Sequence, residues 1–163
     1  MPPYRLQALL EMRERAKKEA EDAFSAAVKA HEKEKTELKR LEAELEKRKA
    51  ERKQKVAAYL QQVMAKGAAG VNGLNMMNRY EERLKDEEAQ LALEIERQKE
   101  AVKVAEKLVE QKRREMAEAA KELKAIEKHK ENWQKQLRAE RQAKEELNQE
   151  EIGNTLFLMR QRK

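Results

Sequence analysis

The sequence predicts an all-α protein, a long two-helix antiparallel coiled-coil hairpin with a C-terminal overhang. Three observations predict it. Of 163 residues, 43% are charged and only six are aromatic, too few large apolar side chains for a compact globule of this length. Glycine occurs four times and proline twice, the prolines together at positions 2 and 3, so the turns that a many-stranded sheet needs are missing. Apolar residues recur at alternating steps of three and four along most of the chain, the spacing that keeps one stripe on one side of a helix.

Helix one is expected over about 4–66. Its seam runs through Leu6, Leu9, Arg13, Ala16, Ala20, Ala23, Ala27, Ala30 and Glu34. Extra steps of four then lead to Leu38, Leu41, Leu45, Arg48 and Arg52, and on to Val56, Tyr59 and Val63. Such stutters locally unwind a left-handed supercoil. A helix of this length spans ~93 Å at ~1.5 Å per residue.

The turn is expected over about 67–73, where Gly67, Gly70 and Gly73 gather three of the four glycines as a helix stop. With the turn centred near residue 70, facing positions should add to about 140, placing Leu45 near Ile95, Leu38 near Val102, Phe24 near Met116 and Leu6 near Trp133.

Helix two is expected over about 74–152. From Leu91 its seam reads Ile95, Gln98, Val102, Ala105, Val109, Lys112, Met116, Ala119, Leu123, Ile126, Lys130, Trp133, Leu137, Glu140, Lys144 and Leu147, with twelve of 17 positions apolar. A disordered polyampholyte would not hold that phase, so high charge here means coiled coil. Helix two outruns helix one. In the tail, 153–163, Gly153 and Asn154 are expected to interrupt the helix before Leu156, Phe157, Leu158 and Met159, a patch without an intramolecular partner. The whole chain, 1–163, reads as a single elongated domain.

Little chemistry is available. Cysteine is absent, and there is one serine, Ser25, with two histidines, His31 and His129. The hairpin register keeps the histidines apart, as flank residues rather than a metal pair, and Ser25 lacks a base. The glycine turn lacks the Gly-Lys-Ser/Thr ending of a phosphate loop. Glu–Lys and Glu–Arg pairs such as Glu44 with Arg48 read as helix-stabilising pairs. No catalysis, cofactor or metal is expected. No apolar run approaches the roughly 20 residues that span a bilayer, and no signal-peptide pattern opens the chain, so a soluble cytoplasmic protein is expected.

Three features could bind partners. The run Lys47-Arg48-Lys49-Ala50-Glu51-Arg52-Lys53-Gln54-Lys55 holds six cations and one anion, which reads either as a solvated face or as a basic patch of Lys47, Arg48, Lys49, Arg52, Lys53 and Lys55 for an anionic surface. Around the turn, Tyr59, Leu60, Val63 and Met64 face Leu74, Met76, Met77 and Tyr80. Some must close the hairpin, yet Met76 and Met77 in succession cannot share one seam, and exposed thioethers with aromatics suit an adaptable docking surface. At the terminal end, Tyr4, Leu6, Leu9 and Leu10 meet Trp133 and Leu137, and the Leu156–Met159 patch follows.

The opening Tyr4-Arg5-Leu6-Gln7-Ala8-Leu9-Leu10-Glu11-Met12-Arg13 and the late His129-Lys130-Glu131-Asn132-Trp133-Gln134-Lys135, with Glu150-Glu151-Ile152-Gly153 and an apolar tail after it, resemble the small coiled-coil stalk proteins of type III secretion. The likeness is closer to the injectisome YscO branch than to the flagellar FliJ branch, and spans nearly the whole chain. It implies a non-enzymatic shaft whose terminal end enters a hexameric export ATPase, stimulates it and links it to the cytoplasmic domain of the export gate and to export chaperones. Such a protein would lie in the cytoplasm, peripheral to the inner membrane at the base of the apparatus, and be monomeric when free. On that reading Tyr4, Arg13, Trp133, Arg138, Arg141, Leu156, Phe157 and Met159 contribute to ATPase binding, and Tyr59, Met76, Met77 and Tyr80 to gate or chaperone binding. The competing expectations are a generic coiled-coil scaffold or adaptor, and a basic binder of nucleic acid or anionic lipid.

Overall fold

The computed structural model describes residues 2–66 and 70–162. Two α-helices account for nearly all of them: α1, Gln7–Lys66, and α2, Gly70–Gln161. They pack against each other as an all-α helical hairpin, the fold class expected from the apolar spacing.

The start of α1 follows from local chemistry. Pro3 disfavours a helical conformation at Pro2, residues 2–6 stay outside the helix, and the Gln7 N–H donates to the Tyr4 carbonyl at 3.1 Å. Helix one therefore begins at Gln7, three residues later than expected. Along both helices, exposed pairs at i,i+3 and i,i+4 support the helical backbone weakly: Arg40 on Glu37, Arg48 on Glu44, Arg113 on Glu110, Lys135 on Glu131. The Arg40 guanidinium holds the Glu37 carboxyl below the usual carboxylate range, and Glu37 in turn raises Arg40.

By packing the chain divides into two compact units, Met1–Asp22 with Arg114–Lys163, and Ala23–Arg113. In the second, Leu41, Leu91 and Ile95 form a buried cluster with Leu38 and Leu45 packed on it. All five were expected on the seam. Gln98 reinforces the register there, its Nε2 donating to the Glu34 carbonyl at 2.9 Å and also to the Glu34 carboxylate. In the first, Tyr4, Leu10 and Leu123 are buried. The expected Leu6–Trp133 pairing holds to the extent that both line one cleft. Within each unit, paired positions add to between 132 and 140: 135 for Arg13 with Glu122, 137 for Lys130 with Gln7, 132 for Gln98 with Glu34, and 140 for Arg52 with Glu88.

Residues 67–69 of the expected turn lie outside the described residues, but Gly70–Gly73 belong to α2, which starts four residues before the expected Leu74. Gly73 is buried, a helical position without a side chain where a neighbouring backbone can come close. Ala30, expected on the seam, is exposed, and Leu10, beside the expected Leu6, Leu9 and Arg13, is at 4% exposure the most buried apolar residue described.

The tail differs most. Gly153 and Asn154 do not interrupt the helix, which continues to Gln161. A Cβ placed on Gly153 would meet nothing within 4 Å, so the glycine costs helix propensity without relieving any crowding. From Arg138 to Arg162 every residue is exposed. The expected overhang is present as a bare continuation of α2.

Candidate partner-binding surfaces

The terminal surface centres on Tyr4. Its ring is buried between His129 and Trp133, with ring centroids 5.9 and 4.9 Å away. Lys130 Nζ stands 5.8 Å from the ring centroid, in cation–π range. The Tyr4 hydroxyl bonds His129 Nδ1 at 2.5 Å, and Lys130 also donates to Gln7 Oε1 at 2.9 Å. Tyr4, expected at a partner contact, is thus consumed by the hairpin, and so is the face of Trp133 turned toward it. Arg13 is likewise engaged, in a salt bridge to Glu122. Beside this cluster opens a cleft of about 560 Å³ lined by Arg5, Leu6, Asn132, Trp133 and Gln136 with Tyr4 and His129.

The rest of the expected terminal set is free of the core. Arg138 and Arg141 are exposed. Leu156, Phe157, Leu158 and Met159 are 54–62% exposed, and Leu147 and Ile152 before them match that range. Ile152, Leu156 and Met159 step along α2 at intervals of four and three, on one face of the helix, while Leu147, nine residues before Leu156, lies on the opposite side.

Around the connection, Tyr59 and Tyr80 pair at 6.1 Å with a 31° tilt, and Arg83 lies over the Tyr80 ring at 5.4 Å. They border an open groove of about 650 Å³ that Lys55, Ala58, Gln62, Met76 and Arg79 complete. Met76 is 61% exposed and lines the groove, whereas Met77 is half-buried and does not. The two methionines separate, as one-residue spacing on a helix requires.

The basic run is split by its surroundings. Arg52 is withdrawn from it: Nε holds the Glu88 carboxylate at 2.9 and 3.1 Å, and Nη1 reaches Glu81 at 3.7 Å. Glu88 is the one buried charged residue among the described residues. Arg48 pairs with Glu44 and Lys49 with Glu46. Lys47, Lys53 and Lys55 remain exposed. A small cleft of about 160 Å³ opens here, lined by Arg48 and Arg52 with Glu51, Lys55, Leu84, Glu87 and Glu88.

Sequence reasoning placed Tyr4 against Trp133, as found, but missed the buried ion group and the His129 and Lys130 partners of Tyr4. The His129 signal was present, since His129 and Trp133 are four apart and must share the face that meets Tyr4. Glu81 and Glu88 lie one heptad apart, which places them on one side of α2 opposite a seam arginine. Among the described residues no group of three or more His, Cys, Asp or Glu is placed to hold a metal ion, and no helix is long and apolar enough to cross a membrane.

No protein with a curated description matches this chain. A solved structure described as a candidate YscO homolog, CT670 of Chlamydia trachomatis, is similar over 100% of this chain and 99% of that one, with a TM-score of 0.81 at 26% identity. The family model described as YscO-like protein matches residues 1–163, and the chain therefore belongs to the YscO-like family.

Proposed function

We propose that this protein is the non-enzymatic stalk of a type III secretion export apparatus, engaging the hexameric export ATPase through the surface around its termini and the export gate or export chaperones through the surface around its helix connection. Membership of the YscO-like family over the whole chain supports the general role. The observation that carries the finer reading is the bare C-terminal segment of α2. Its 25 described residues after Leu137 pack against nothing, yet they present Leu147, Ile152, Leu156, Phe157, Leu158 and Met159 to solvent. An apolar surface of that kind marks a protein interface.

A single asymmetric helix pair in a ring of like subunits contacts each subunit differently. It therefore binds some conformations better than others and shifts the turnover of the ring. With Tyr4 and Arg13 held within the hairpin, the contact falls to Arg138, Arg141, Leu156, Phe157 and Met159, with Trp133 placing them. Hydrolysis of ATP by the cognate export ATPase, titrated with this protein, tests the reading. Stimulation saturating near one chain per ring is the expected outcome, and no change at any ratio with an active ATPase removes it.

A further inference from the structure

The groove at the connection differs in charge from the clefts beside Arg52 and Leu45, which are lined in part by glutamates. Its eight lining residues include three cations, Lys55, Arg79 and Arg83, and no carboxylate. Some cations of α1 and α2 are tied to a carboxylate three or four residues away, as in Lys35 with Glu32, Lys85 with Glu81 and Lys99 with Glu96. Among the described residues Lys55, Arg79 and Arg83 have no carboxylate within 4.0 Å, and all three are exposed. The nearby Glu81 is already shared between Arg52 and Lys85.

Between these cations the groove is apolar and aromatic. Tyr59 and Tyr80 lie against each other and Arg83 covers a face of Tyr80, so the stacking faces that a single-stranded nucleic acid would use are largely taken. Met76 remains open, a flexible thioether able to receive an aliphatic or aromatic side chain.

We infer that this groove takes an acidic amphipathic segment of a partner protein, one apolar side chain entering between Tyr59, Met76 and Tyr80 and its carboxylates meeting Lys55, Arg79 and Arg83. This names the chemistry of the partner and rests on the reading that the connection end docks a protein. An amphipathic helix laid in a groove with flanking charge pairs is an established mode of recognition, and charge complementarity of this kind sets partner choice and encounter rate.

The test uses the full chain and three fluorescein-labelled helical peptides of ~18 residues. One carries glutamates with leucine and phenylalanine anchors, one replaces every glutamate by lysine, and one replaces the anchors by serine. Anisotropy should show binding of the first alone. That binding should weaken about ten-fold in Arg79→Glu with Arg83→Glu, weaken in Met76→Glu, fall with salt, and persist when the exposed Lys124 is changed to Glu. Unchanged circular dichroism of the variants guards against misfolding.

Equal binding of the acidic and basic peptides, no binding of either, or tighter binding of a single-stranded oligothymidylate overturns the inference. So does dimerisation of the chain itself that is lost on changing Glu145, Glu146, Glu150 and Glu151 to Lys, because the occupant is then a second copy. A pull-down of the gate domain and chaperones separates the two levels. Capture that depends on Met76, without peptide binding, rejects the acidic segment and leaves docking standing. Capture indifferent to Met76→Glu rejects both.

Discussion

The Tyr4 hydroxyl meets Nδ1 of His129 at 2.5 Å across 125 positions of sequence. This bond joins the short non-helical start of the chain to a defined turn of α2, and the Tyr4 ring fills the space before Trp133. A residue four places from the start thereby fixes which part of α2 is covered and which continues bare. Replacing Tyr4 by Phe keeps the ring and removes the bond, so the cost should be about 1 kcal/mol. Replacing it by Ala also removes the ring and should cost about 3 kcal/mol. Amide exchange at Gln7–Arg13 reports both. ATPase stimulation should survive Tyr4→Phe, since the hydroxyl serves the hairpin rather than the partner.

Arg52 and Glu88 set a second test. Arg52→Leu strands a carboxylate that is 8% exposed, and breaking a buried pair in this way costs about 3 kcal/mol. The double change Arg52→Leu with Glu88→Leu should recover most of it, because a packed apolar pair is often as stable as a buried ion pair. What the double variant should lose is uniqueness. In a coiled coil a single buried polar contact specifies register, so disulfide trapping between cysteines introduced at Leu45 and Ile95 should become less selective.

Much of this fold is legible in the sequence, because a two-helix coiled coil writes its core as a period. Leu41, Leu91, Ile95 and Leu123 can be read as buried from spacing alone, and each is buried. The misreadings occur where propensity competes with context. Gly70 and Gly73 look like a turn but lie in α2, since a glycine's helix penalty of about 1 kcal/mol is small against the propagation of a long helix. Gly153 looks like a break because Gly and Asn are poor helix formers, yet two such residues do not stop a helix already propagated from α2. The groove at the connection is less legible still. Lys55, Arg79 and Arg83 come from both helices to one lining without a carboxylate, and no single stretch of sequence shows them together.

Gly153 supplies a stabilising prediction. Because a Cβ there meets open space, Gly153→Ala should stabilise the C-terminal segment of α2 by about 1 kcal/mol. Amide exchange over 150–158 should slow accordingly, with exchange at the Leu41–Ile95 core unchanged. If ATPase stimulation rises with this variant, the partner binds the segment as a helix and ordering it beforehand reduces the entropy lost on binding. If stimulation falls, the partner requires the segment to unwind at Gly153.

The apolar tail separates a structural from a functional role most cleanly. Leu156, Phe157 and Met159 lie past every described contact of the hairpin, so Leu156→Glu with Phe157→Glu should leave the thermal midpoint within about 1 °C of the parent, as surface changes away from the core do. If this segment contacts the ATPase, the same variant should lower apparent affinity at least about ten-fold, equivalent to about 1.4 kcal/mol, since burying even one unpaired carboxylate in an apolar interface costs that much or more. Arg138→Glu with Arg141→Glu should act differently. Charges at the rim of an interface govern encounter rate, so stimulation should become more dependent on salt while the saturating level stays the same. A tail variant that stimulates like the parent, with unchanged melting, would assign the ATPase contact to the cleft beside Trp133 and leave the exposed stripe to another partner.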